Sequence, residues 1–182
     1  YETGLANLEE LAESLPGADF SDIEIEHLIV EPVQIAYLST RAKRDPGATA
    51  QAMGNAYFKI LNFIDEYKLD DAGAPLAITR GFVGADMLFD AAIPVRGLSD
   101  STPTAGPGVR IGTTYGGPVI RVRHVGSYRG LTVTHRKIAA YLAAHGIERN
   151  GDSWESYVSD PAKVAEENLL TYVYYPVVAE QR

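Results

Sequence analysis

Glu155 and Tyr157 stand two residues apart in Trp154-Glu-Ser-Tyr-Val158. In an extended strand that spacing places both side chains on one face, with Trp154, Ser156 and Val158 on the other. A carboxylate beside aromatic rings can pair with a cation while the rings stack on its flat body. Desolvation of a carboxylate also disfavours its ionised form, a usual route to a general acid or base. The plainer reading of these residue types is a carboxylate on the solvated face of a half-exposed strand, since carboxylates are rarely buried. Tyr172, Tyr174, Tyr115, Tyr37 and Phe82 supply further rings near the same elements, although only some can share a face. Trp154, opposite Glu155, is expected to pack in the core.

Other chemistries find little support. The histidines at 27, 124, 135 and 145 have no metal-ligand spacing, so neither a metal nor a cofactor is expected. His124, in a strand with apolar neighbours, reads as a hydrogen-bonded structural residue. The absence of cysteine excludes disulfides and thiolate nucleophiles. Gly106-Pro-Gly-Val-Arg-Ile-Gly112 lacks the lysine of a phosphate-binding loop and reads as linker. No Gly-x-Ser-x-Gly elbow is present.

The formal charge of −8 is uneven: nine acids and no base precede Arg41, whereas residues 101–182 carry more bases than acids. Neutralising phosphates takes concentrated Lys and Arg, so direct binding to nucleic acid is not expected. A neutral or cationic amphipathic ligand suits the acidic, aromatic chain better. The basic stretch Arg121, Arg123, Arg129, Arg136 and Lys137 reads as a solvated face that could contact the acidic N-terminal segment. No apolar run approaches the roughly 20 residues of a membrane span, and a cytoplasmic location is expected.

The elements that must position these residues appear twice. Pro32–Arg41 is echoed by Pro118–Ser127, and Met87–Val95 by Leu169–Val177. An amphipathic stretch lies between each pair. In the first copy, residues 23–39 read as strand, Asp45-Pro46-Gly47 as a turn, and Met53, Tyr57, Ile60, Leu61 and Ile64 as a helical stripe. Pro75–Phe82 and Met87–Val95 read as two strands. After a Gly- and Pro-rich connection with a short strand at 109–112, the second copy gives a strand from Pro118. Ser127 caps a helix that ends at Gly146, and strands follow at Trp154–Ser159 and Leu169–Val177.

The expectation is an α+β fold: duplicated β-α-β-β units, with copies about 23–96 and 109–178, forming one antiparallel sheet with two helices on one face and a ligand cleft between the halves. Because Glu155 and most of the rings belong to the second copy, the chemistry is expected off the pseudo-axis, toward the C-terminal half. Residues 1–22, with Leu5, Leu8, Leu11 and Leu15 at helical spacing before Pro16-Gly17, read as a leading helix and linker, the tail of a preceding domain.

The runs His124-Val-Gly-Ser-Tyr128, Trp154-Glu-Ser-Tyr-Val-Ser-Asp-Pro161 and Tyr174-Tyr-Pro-Val177, with Asp90-Ala-Ala-Ile-Pro-Val95 in the first copy, resemble the GyrI-like effector-binding family across residues 23–178. That fold also forms the ligand-binding half of multidrug-responsive regulators of the MerR and AraC types. The resemblance implies an aromatic cleft into which a glutamate of the second unit reaches, and Glu155 holds the matching position. It implies capture of amphipathic, aromatic or cationic small molecules by Glu155, Tyr157, Tyr174, Tyr172, Tyr37, Phe82 and Tyr115. Two alternatives come with it. One is hydrolysis of reactive cyclopropane-bearing natural products by Glu155 and Tyr157; the other is a protein-interaction role of the gyrase-inhibitor type.

Overall fold

The computed structural model describes residues 20–104 and 108–179, so the leading helix read at the N-terminus lies outside the described residues. Two strands open the described chain, β1 (Ile25–Val30) and β2 (Gln34–Lys43). The sequence pattern merges them into one, but Glu31-Pro32-Val33 interrupts the ladder, and Pro32 has no N–H to contribute to one. Helix α1 (Pro46–Glu66) follows. Asp45, expected in a turn, is its N-cap, accepting from the Ala48 N–H at 2.8 Å, with Pro46 at the first helical position where its missing donor costs nothing. A two-residue strand β3 (Asp70–Asp71) leads to β4 (Leu76–Val83) and β5 (Asp86–Arg96).

The second copy repeats the order: β6 (Arg110–Thr113), β7 (Gly117–Val125), α2 (Leu131–Ala144), β8 (Trp154–Tyr157) and β9 (Leu170–Pro176). Ser127 caps a short 3-10 turn, Tyr128–Gly130, that runs into α2. The strands form one antiparallel sheet in the order β1-β7-β9-β8-β4-β5-β2-β6, with β3 paired to β5. Each copy lends its first strand to the far edge of the other, β1 pairing with β7 and β6 with β2. The copies then meet at the centre through β4 and β8.

The register corrects the sequence echo. Ile35 faces Pro94 and Val119 faces Pro176, so Ile35 and Val119 are the equivalent residues and the match of Pro32 with Pro118 is two residues out. A slip of two keeps every side chain on its face, which is why the pattern concealed it. At the centre, Ala77 faces Ala91 and Glu155 faces Val173. Ala77 and Glu155 are therefore equivalents, and they are also direct cross-strand partners. The pseudo-two-fold axis passes through this pair, so Glu155 lies at the axis rather than away from it.

Both helices cover the same sheet face, each over its own apolar cluster. Ile60, Phe63 and Ile64 of α1 pack on Phe89, Ala91 and Ile93. Ile138 and Leu142 of α2 pack on Ile120, Val122, Val173 and Tyr175. Ala77, Glu155 and Tyr157 occupy the strip of that face between the clusters. The helix-free face carries a third cluster around Ile35, Ile78, Val119 and Trp154. The basic stretch meets the acidic N-terminal segment: Arg121 Nε donates to Glu26 at 2.7 Å and Lys137 pairs with Asp22, tying β1 and the residues before it to the second copy. No helix among the described residues is long and apolar enough to cross a membrane.

Candidate functional site

At the seam between the halves, β8 turns Glu155 and Tyr157 to the helix side while Trp154 faces away. Trp154 is buried and stacks nearly parallel on Tyr174, 4.8 Å between ring centres. Both oxygens of Glu155 are engaged. The Tyr157 hydroxyl donates to Oε2, and His135, projecting from α2, places Nε2 2.7 Å from Oε1. An ionised carboxylate only accepts, so Nε2 carries a hydrogen; in the neutral ring Nδ1 then accepts from the Tyr175 hydroxyl, 2.8 Å away. The carboxylate is about one-fifth exposed. Among the described residues no lysine or arginine pairs with it; its one basic contact is the imidazole.

Phenols surround this centre. Tyr57 leaves the apolar stripe of α1 to donate to the Leu76 carbonyl at 2.8 Å, beside Ala77. Tyr128 meets Tyr157 edge to face, with centres 5.3 Å apart. Burial pushes the Tyr57 hydroxyl far above the usual phenol range, and the negative charge of Glu155 adds to the shift. Tyr157 moves the same way for the same leading reason, with Glu155 again second. Burial also raises Tyr175, against the lowering influence of Arg149, whose guanidinium lies 4.8 Å from that ring. The phenols are thus held as neutral hydrogen-bond donors around one carboxylate. On the outer side of Tyr128, a depression of about 300 Å³ is lined by Pro161, Val164, Glu166 and Leu169. A second depression, at Val33, Ala72 and Pro94, includes none of these residues and no titratable cluster.

Of the residues singled out in the sequence, the structure brings Glu155 and Tyr157 together and sets the others apart. Tyr172 and Tyr174 lie on the helix-free face, because alternation along β9 gives the helix side to Thr171, Val173 and Tyr175. Tyr37 and Tyr115 pack in the helix-free cluster, with Arg110 over the Tyr37 ring and Arg121 over Tyr172. Phe82 is exposed beneath Arg44. Sequence reasoning missed His135, Tyr57, Tyr128 and Tyr175. His135 was weighed only as a metal ligand, whereas Tyr57 was assigned to the buried stripe. His124 is structural, with Nδ1 2.8 Å from Thr134 Oγ1 and Nε2 3.0 Å from the Ser127 carbonyl. No group of residues suited to holding a metal ion occurs among the described residues.

This architecture has known counterparts. The C-terminal domain of EcmrR superposes with a TM-score of 0.68 at 11% identity, over 87% of this chain and 99% of that one. A hydrolase from Listeria innocua gives 0.59 at 16% identity, over 85% and 92%. SAV2435 bound to tetraphenylphosphonium gives 0.57 at 9% identity, over 86% and 93%. At these identities the likeness is one of fold. No curated protein sequence matches the chain significantly. The model of the GyrI-like small molecule binding domain matches residues 23–178, nearly all of the described chain; the protein belongs to this family of small-molecule binding domains.

Proposed function

We propose that the seam between the two halves is the ligand cleft and that it captures amphipathic, aromatic cations. One observation carries this reading: Glu155 is a largely buried carboxylate whose oxygens are satisfied by a phenol and an imidazole, with no lysine or arginine among the described residues paired to it. A buried carboxylate without a fixed cation is an electrostatic opening for a cationic ligand, and the phenol rings around it offer stacking surface. Glu155, Tyr157, His135, Tyr57 and Tyr128 form the proposed ligand-binding set. Tyr172, Tyr174, Tyr37 and Tyr115 support the sheet from its far face. The acidic charge of the chain fits a domain that acts on small molecules in the cytoplasm without touching nucleic acid itself.

Titrating a cationic rhodamine-type dye into wild type and Glu155→Gln tests the reading. Loss of at least about tenfold in affinity, about 1.4 kcal/mol, is expected, with the melting temperature held. Equal affinity for the two proteins would sink it.

The contact between Tyr157 and Glu155 favours a second reading, in which the same pair hydrolyses reactive cyclopropane-bearing compounds. Glu155 would take a proton from water, and a phenol held neutral would donate to the anion developing on the substrate. Turnover of an electrophilic cyclopropane should then fall steeply in Glu155→Gln without loss of fold. Parallel loss of turnover and melting temperature would indicate a structural role.

A further inference from the structure

His135 brings a titratable charge into contact with Glu155. Its ring is wedged between an acceptor and a hydroxyl, with Nε2 2.7 Å from Glu155 Oε1 and Nδ1 2.8 Å from the Tyr175 oxygen. About a quarter of the side chain remains exposed, so protons can exchange with solvent. The charged and titratable groups that face this cluster are Glu155 and Tyr157 from β8, Tyr175 from β9, Tyr57 from α1 and Tyr128 from the 3-10 turn, with Arg149 over the far side of the Tyr175 ring. Glu155 is the one carboxyl group of this set, and Arg149 is its guanidinium.

We propose that His135 is a specificity-determining residue that sets the charge of the site: with the imidazole neutral the seam accepts cations, and with it protonated the seam rejects them. The inference rests on the cation-binding reading of Glu155. A neutral imidazole orients the carboxylate but leaves its negative charge uncompensated. Protonation turns the same 2.7 Å contact into an ion pair and presents an incoming cation with a like charge at hydrogen-bond range. The switch needs no backbone movement. Nδ1–H donates to the Tyr175 oxygen, and the phenol hydrogen rotates elsewhere. Because protonation of the imidazole changes the charge beside Glu155, cation capture is tied to pH. By linkage the antagonism is reciprocal: a bound cation must make His135 harder to protonate.

Tetraphenylphosphonium is the probe, because its charge does not titrate. Its affinity is measured from pH 5 to pH 8.5 in wild type and in His135→Gln. The expected result is a wild-type affinity about tenfold or more weaker at pH 5 than at pH 8, and a nearly flat profile in His135→Gln. In wild type, saturating tetraphenylphosphonium should also lower the titration midpoint of the His135 imidazole, followed by its proton resonances. Binding that is independent of pH in wild type, or a slope that survives in His135→Gln, overturns the role of His135 while leaving the cation site intact. No binding at pH 8 overturns the cation reading and this inference together. Should His135→Gln fail to fold, the wild-type resonances decide, and a midpoint unmoved by ligand counts against the proposal.

Discussion

Thr171 and the buried tyrosines of the seam hold testable consequences in themselves. Thr171 is completely buried beside Tyr157, and its hydroxyl has no hydrogen-bond partner among the described residues. An unpaired buried hydroxyl contributes nothing that a methyl would not. Thr171→Val is therefore expected to be neutral or to stabilise by up to about 1 kcal/mol in denaturant unfolding, where loss of more than that amount would reveal an unseen partner. The tyrosines give a pH prediction. Burial raises Tyr57, Tyr157 and Tyr175 above the ordinary phenol value. The folded state thus keeps protons that the unfolded chain releases. The resulting stability is whole below about pH 10 and is lost as pH rises through that value toward the folded ones. Phenolate absorbance should show these three, of eleven tyrosines in the chain, ionising late and together with loss of fold. Smooth titration of all of them before unfolding would contradict the burial. Glu155 and Tyr157 were legible as a pair because alternation needs only the neighbouring residues. His135 and Tyr57 were not, because a helix shows its buried stripe in sequence but not the side chain that leaves it for a partner on another element.

At the scale of elements, the join of β4 to β8 brings the equivalent positions of the two copies face to face. The axis sets Ala77 against Glu155, so a true repeat of the sequence would place two carboxylates side by side in a nearly closed space. Ala77 is 7% exposed. Ala77→Glu should cost about 3 kcal/mol near neutrality, the penalty of an uncompensated buried charge beside a like one. The penalty should shrink as pH falls and one of the pair takes a proton. Chemical unfolding of this variant at pH 5 and pH 8 checks both signs; an unperturbed stability would mean that the seam is wetter than its geometry implies. The exchange of β1 and β6 between copies could not be read from the pattern. Alternation places a strand's side chains on faces but does not name its neighbour, and the Glu31-Pro32-Val33 break is short enough to pass for a bulge.

For the whole molecule, the shared sheet makes the halves one cooperative body although each helix has its own core. Ile60 and Ile138, both completely buried, lie in different clusters. Replacing either with alanine should cost about 2–5 kcal/mol and shift a single unfolding transition; two separated transitions in either variant would show that the halves melt independently. The α+β class and its duplicated plan were legible from the paired echoes and helical stripes. The position of Glu155 was not, since only the register reveals that it stands at the axis. In the proposed site this axial carboxylate selects ligands by charge. Tetraphenylphosphonium and tetraphenylborate share a shape and differ in sign, so their relative affinity at pH 8 isolates that selection. The cation is expected to bind at least about tenfold more tightly, with the preference collapsing in Glu155→Gln; equal affinities in wild type, or a preference untouched by the substitution, would contradict selection by charge.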